Sequence, residues 1–462
     1  MATIAARADA FMTKHFTRHS ITWRQAMVII LPLIAENLTN NLFGTLNTGM
    51  ISSSGEASLS AVSLVDTLNT FLFVFYTGIA TGASVIVANY RGMGNPEKLH
   101  KACTQAVTAV VLFTLFTTVF IILFHVPLLK LLFGAAEQEI VDKARFYMLG
   151  GAISLPLLGI TTAFCGVLRG IGEGKTALLY TVTSLLIYLG LNLVFLTGLK
   201  LGITGLLLSI LLNRILNIPL LFGLLWIRKS AFRYKVKEFF HLDTSMLRRI
   251  MRVGIPCAVE QMFFVGGRVV TQSMLVALGT GAIVVYNISY SILTLNEALV
   301  TPVNTAMYTV AGMCIGDDRP EDVRDLTKSY LGLNTVLYWI SLGLIMLLFK
   351  PLTIFYSASA ENIPRIFQLV LITGIAHPLI HSLGFTLPTV FRATGDGIYT
   401  TVASLLVMWG LRIVGAYILG FVFGLGVLGV WCAMILDWLV RAGIFSIRFR
   451  GNRWLKHKKM TE

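Results

Sequence analysis

The chain has 462 residues, of which 56% are hydrophobic and only 13% charged, and its formal net charge is +15. A soluble domain carries roughly 25% charged residues, so this balance excludes an ordinary soluble protein and points to a polytopic membrane protein. The basic excess lies in short segments between apolar runs, which favours loops facing anionic lipid and the cytoplasm over nucleic-acid binding.

Taken in chain order, residues 1–25 form a basic segment with Arg7, Lys14, Arg18 and Arg24 but no apolar core and no cleavage site, so the first apolar run is expected to be a retained span. Runs long enough to cross a bilayer follow at 26–50, 58–90, 99–125, 138–168, 176–199 and 203–227. The first carries Pro32, Glu36, Asn37, Asn40, Asn41 and Asn47; the second carries Asp66, Asn69, Phe71, Phe75 and Tyr76. Gly94-Asn95-Pro96-Glu97 reads as a helix start, with Pro near the first helical position and acid in the first turn. The fifth run contains Asn192. A basic linker, 228–246, separates these from six more runs at 247–278, 283–314, 322–349, 362–391, 399–421 and 427–447, and a basic tail follows at 448–462. Alternate connections such as ISSSGEA (51–57) and LGTGA (278–282) lack Lys and Arg. The positive-inside rule therefore places both termini and the linker in the cytoplasm, which twelve spans satisfy.

The second half copies the first. At one fixed shift (256 minus 32, or 224 residues), Pro32 meets Pro256, Glu36 meets Glu260, Gly55 meets Gly279, Gly92 meets Gly316, Pro96 meets Pro320 and Glu97 meets Glu321. Further on, RGIGEG (169–174) answers RATGDG (392–397), TVTSLL (181–186) answers TVASLL (401–406), and GITG (202–205) answers GVLG (426–429). Six spans per half is an even number, so the halves are parallel repeats. The expected fold is an all-α membrane protein of twelve transmembrane helices in two parallel six-helix bundles, 26–227 and 247–447, related by pseudo-twofold symmetry about the membrane normal.

GMGNPEK at 92–98, Leu168-Arg169-Gly170 with Gly172, Gly254-Ile255-Pro256, ALGT at 277–280 and GVLGVW ending at Trp431 resemble, in order and spacing, the multidrug and toxic compound extrusion (MATE) family over nearly the whole chain. The resemblance implies two six-helix bundles around a central cavity, driven by protons or sodium and expelling organic, often cationic, compounds. It departs where coupling is concerned. Asn47 stands where the family often has an aspartate, Leu196 follows Asn192 where an archaeal-type pattern has Asp, and His381 occupies another branch's aspartate position. The family's coupling carboxylates therefore cannot be carried across.

An ionisable group at membrane depth costs on the order of 2.5–3.5 kcal/mol on insertion scales, so it marks a cavity or a partner. Glu36 and Glu260 are the leading candidates for binding protons, sodium or a cationic substrate; the structural alternative pairs each permanently with an arginine such as Arg268 or Arg412. Asp66, Glu297, Asn37, Asn40 and Asn192 are further candidates, and Asp437 with Arg441 reads as an i,i+4 ion pair. His377 and His381 share a helix face and suit proton relay. A metal site is not expected, because no third ligand lies near them in sequence. The aromatic residues Phe71, Phe75, Tyr76, Phe263 and Phe264 could contact an organic cation, although core or lipid packing is the plainer reading.

GEGKT (172–176) lacks the leading glycine and the strand of a phosphate-binding loop, and no catalytic set is present, so enzyme activity and ATP-driven pumping are not expected. The expected protein is a secondary antiporter with no cofactor beyond its coupling ion. It is monomeric, sits in the plasma membrane and has lipids and a small molecule as its partners. A flippase for a lipid or lipid-linked sugar, using Arg214, Arg268 and Arg412, is the alternative.

Overall fold

The computed structural model describes residues 13, 22–51, 56–133, 138–232 and 241–455, and these residues contain no strand. The helices of the first half are α1 (Trp23–Ile51), α2 (Glu56–Gly92), α3 (Pro96–Phe133), α4 (Gln138–Ile153), α5 (Leu155–Gly170), α6 (Gly174–Asn192) and α7 (Gly202–Ile227). Those of the second are α8 (Thr244–Ala277), α9 (Thr280–Glu297), α10 (Val300–Gly316), α11 (Pro320–Leu347), α12 (Phe349–Phe355), α13 (Ile363–Ala376), α14 (Ser382–Ala393), α15 (Gly397–Val407), α16 (Val414–Tyr417) and α17 (Gly426–Arg450). Among the described residues, ten helical stretches are long and apolar enough to cross a membrane; the bent pairs α4–α5 (50°) and α9–α10 (44°) make twelve if each is one span. Most of the N-terminal segment, the side chain of Asn47, the centre of the basic linker and the end of the tail lie outside the described residues.

The structure differs from the sequence reading in interrupting several spans, three of them beside a proline. Pro156 has no amide to give the Ala152 carbonyl. The freed carbonyl accepts instead from the Thr118 hydroxyl at 3.1 Å, which is how a helix break survives at membrane depth. Pro302 stands in the first turn after the α9–α10 break. Pro378 begins a widened π turn, His377–His381, between α13 and α14. Pro32 and Pro256, by contrast, sit inside continuous helices.

The duplication recurs in the backbone. Left-handed residues occur at Gly94 (φ 67°) and Asp318 (φ 60°), at Gly172 (φ 83°) and Gly395 (φ 97°), and at Gly202 (φ 55°) and Gly426 (φ 57°). Each pair occupies matched places in the two halves. After α5 the Glu173 amide donates back to the Leu168 carbonyl at 2.8 Å, and after α14 the Asp396 amide donates to Phe391 at 2.7 Å. The acid of each turn then anchors the end of its half. Glu173 accepts from the Ala231 amide at 2.8 Å, and Asp396 from Arg448 Nε at 2.9 Å.

The chain forms two compact units, residues 35–258 and residues 259–462 with 1–34. In the first, Val65, Tyr76, Tyr147, Leu155, Leu196 and Leu206 belong to one buried cluster, with α5 packed on α2 and α3. Here α2 and α8 approach closely through small residues. A Cβ on Gly78 would lie 2.4 Å from Ala258 Cα, and one on Gly82 2.4 Å from Gly254 Cα. Both helices thus present small-xxx-small pairs, the device that brings membrane helices together without a hydrophobic driving force. In the second unit Leu275, Ile292, Leu369, Trp431 and Trp438 belong to the buried core, and α14 packs on α10 and α17.

Candidate transport cavity and buried charge clusters

Unit 35–258 encloses a cavity of about 610 Å³ whose walls include Glu36, Asn40, Asp66, Arg169 and Arg214. Glu36, on the buried face of α1, meets Arg169 at the end of α5: Arg169 Nη2 stands 2.5 Å from Glu36 Oε1. The Thr181 hydroxyl of α6 donates to the same oxygen at 3.2 Å. Glu36 Oε2 is buried without a hydrogen-bond partner.

The second unit repeats this arrangement. Arg392 Nη2 lies 2.5 Å from Glu260 Oε2, and the Thr401 hydroxyl donates to that oxygen at 3.2 Å. Three motif pairs noticed separately in the sequence therefore converge into one Glu–Arg–Thr triad per half. The expected partners of Glu260 are corrected: Arg268 instead stacks on Tyr290 at 4.7 Å, and Arg412 faces Asp437 at 3.9 Å. The distance along the chain explains the miss. Arg169 and Glu36 are 133 residues apart, so no local pattern links them.

Asp66 is held differently. Its Oδ1 accepts from the Asn69 amide and from the Tyr147 hydroxyl, each at 3.3 Å. Among the described residues it has no ion-pair partner within contact distance, and Arg214 acts on it only at longer range. Arg214 itself donates to Ser154 Oγ and, at 3.3 Å, to the Gly151 carbonyl. The wall thus carries two carboxylates and two guanidiniums, but the Glu36 charge is neutralised on the spot whereas the Asp66 charge is not.

Other expected residues fall elsewhere. Asn40 lines the cavity, whereas Asn37 accepts from the Asn41 amide at 3.2 Å. Asn192 is fully buried at the end of α6 and does not line the cavity. Of the aromatic candidates only Tyr76 lines it; Phe75 stacks on Phe113 at 4.4 Å, and Phe264 lies under the Arg441 guanidinium at 4.5 Å. The sequence reading passed over Phe73, Tyr147, Tyr180 and Tyr188, which also form the wall. Nothing in the period of one apolar helix singles out its cavity-facing rings. Asp437 and Arg441 form the expected ion pair at 2.7 Å, fully buried.

His377 and His381 do share a face, with ring centroids 4.6 Å apart. Glu297, the last residue of α9 before the bend, comes to both: its Oε1 is 3.6 Å from His377 Nε2 and 3.3 Å from His381 Nε2. A third ligand type absent along the chain is thus present in space.

The family model described as MatE matches residues 32–194 and again 256–418, the same register as the internal repeat. Among curated proteins, the chain is 22% identical to "Uncharacterized transporter YisQ" of Bacillus subtilis, over 96% of each chain. It is 24% identical to "Probable multidrug resistance protein NorM" of Thermotoga maritima, over 95% of this chain and 94% of that one. Among solved structures, an outward-facing multidrug resistance MATE family transporter of the MOP superfamily superposes with a TM-score of 0.85 at 18% identity, covering 94% of this chain and 96% of that one. A MOP superfamily transporter from Pyrococcus furiosus, described as having reversed binding-pocket polarity, does so at 0.82 and 20%, covering 92% and 94%.

Proposed function

Because the chain belongs to the MatE family, we propose that it is a secondary antiporter that exports organic, cationic compounds in exchange for protons or sodium by alternating access. The observation that carries this reading is Asp66: a carboxylate on the wall of a drug-sized cavity, bonded to an amide and a phenol but to no guanidinium. A negative group so placed holds one cation at a time, whether proton, sodium or substrate, and that exclusivity is what exchange requires. Tyr76, Tyr147 and Tyr188 supply ring faces and hydroxyls beside it. Glu36 and Glu260 act as paired groups. A cation entering near Glu36 must loosen Arg169, which couples occupancy to the contact between α1, α5 and α6. Asn40 contributes a further polar contact, Asn37 and Asn192 support the helices behind it, and His381 serves proton movement in the other unit.

Exchange of one coupling cation for one monovalent cationic compound moves no net charge, so the ion's concentration gradient drives it: each tenfold ion gradient, about 1.4 kcal/mol, sustains up to a tenfold gradient of the compound. The charge placement favours both termini in the cytoplasm, and we place the protein in the plasma membrane as a monomer. The flippase alternative has less support: of Arg214, Arg268 and Arg412 only Arg214 lines the cavity, and it is engaged by Ser154 and Gly151.

Reconstitution into proteoliposomes with imposed pH or sodium gradients tests the reading. Wild type is expected to export a cationic dye under one of the two gradients, and Asp66→Asn to lose at least tenfold in rate. Dye flux by Asp66→Asn equal to wild type would remove the basis of this assignment.

A further inference from the structure

We infer that Glu297, His377 and His381 form a binding site for one divalent first-row transition-metal ion. Their donor atoms all lie within 4.8 Å of one another. Tetrahedral coordination with bonds of about 2.1 Å places ligand atoms about 3.4 Å apart. Glu297 Oε1 stands at 3.6 Å from one imidazole Nε2 and 3.3 Å from the other, close to that spacing, and the remaining pair of donors lies within 4.8 Å. The donor set, two imidazoles and one carboxylate with a fourth position left open, suits zinc, cobalt or nickel. It does not suit sodium, magnesium or calcium, which prefer a shell of several oxygen ligands where this site offers a single carboxylate and two imidazoles.

A second observation is independent of the clustering. His377 is fully buried, yet its Nε2, the atom aimed at Glu297, has no hydrogen-bond partner. Buried polar atoms are otherwise almost always satisfied, and a metal ion would satisfy this one. The far side of His381 is held as that of a metal-bound histidine usually is, and a side-chain amide stands ready to do the same for His377. Tyr338 Oη lies 2.7 Å from His381 Nδ1. The Asn296 amide lies 2.7 Å from His377 Nδ1, while its own Oδ1 is buried and unpartnered. A half-turn of that amide sets the idle carbonyl on Nδ1–H and frees the Nε2 lone pair for the metal. Phe385 stacks on His381 at 4.0 Å and Trp438 lies 5.0 Å from His377, fixing the rings in place. The helix bend puts Glu297 at the end of α9, and the π turn at Pro378 carries both histidines. Two departures from regular helix therefore converge on the site.

Full-length protein, purified without a histidine tag and stripped with chelator, is titrated with Co2+ and then Zn2+. The expected result is one equivalent bound per chain, with the visible absorption of four-coordinate cobalt, displaced by zinc and unaffected by excess sodium. Glu297→Gln and His381→Ala are each expected to weaken zinc at least tenfold; Asn296→Leu, which removes only the support behind His377, is expected to weaken it about tenfold. His377 and His381 are both buried, so Glu297→Gln is the decisive variant: Glu297, at 29% side-chain exposure, can change without emptying a core position. Each variant is checked for an unchanged thermal midpoint in the absence of metal. Absence of stoichiometric cobalt or zinc on wild type, or binding unchanged in Glu297→Gln and His381→Ala, overturns the inference. The readout is independent of transport: bound metal would withdraw only the proton-moving role given to His381, and the Asp66 assignment stands or falls by its own test.

Discussion

At the residue scale, what separates the acids is how each is neutralised. Glu36 and Glu260 each have a guanidinium at 2.5 Å and a threonine hydroxyl on the same oxygen. Removing one member of a buried ion pair leaves the other charge stranded, at a cost of about 3–5 kcal/mol. Glu260→Gln is therefore expected to lower the thermal midpoint clearly, and Glu260→Gln with Arg392→Gln to recover much of the loss. Additive losses would show that the two side chains do not act as a pair. Asp66, lacking such a partner, predicts the opposite split: Asp66→Asn should keep the wild-type midpoint within a few degrees while transport falls. A large loss of stability in Asp66→Asn would make it a structural acid.

At the element scale, two devices place the helices. One is close approach through glycine. A Cβ on Gly429 would lie 2.4 Å from the Leu419 carbonyl oxygen, where only backbone stands in the way. Gly429→Ala is expected to cost about 1–3 kcal/mol, read as a lower midpoint, whereas Gly443→Ala, where nothing lies within 4 Å, should be silent. The other device is capping. Asp243 Oδ1 accepts from the Met246 amide at 3.0 Å at the start of α8, and its Oδ2 meets Lys101 Nζ at 2.5 Å. The Lys101 contact holds the Asp243 carboxyl below its usual range. A carboxyl depressed in the folded state contributes stability above its unfolded value, about 3.9, and that contribution fades as pH falls through the folded value. The pair is partly exposed, so screening keeps its worth small. Asp243→Ala is thus expected to lose about 1 kcal/mol at neutral pH, mostly the cap, with the difference from wild type shrinking below pH 4.

For the whole molecule, the duplication is the organising fact. The same acid, arginine, threonine and left-handed turn appear in each unit, and the family model matches each half in one register. The units then diverge. The described cavity with Asp66 belongs to the first, and the Glu297–His377–His381 cluster to the second. Sidedness is a property of the entire chain: with an even number of spans, a C-terminal fluorescent fusion should fold and glow in the cytoplasm, while a periplasmic phosphatase at the same site should stay inactive. The reverse pattern would invert the topology inferred from Lys and Arg placement.

Sequence by itself determined the twelve apolar runs, the repeat with its paired glutamates, and the Asp437–Arg441 pair. Each rests on hydropathy, spacing or turn chemistry that acts over a few residues or recurs at a fixed interval. Only the tertiary structure decided that Arg169 and Arg392 answer the glutamates rather than Arg268 or Arg412, that Asp66 alone of the cavity acids lacks a contacting guanidinium, and that Glu297 joins two histidines some 80 residues further along. Hydropathy records that a side chain leaves water; which group compensates for that loss depends on how helices distant in sequence are packed together.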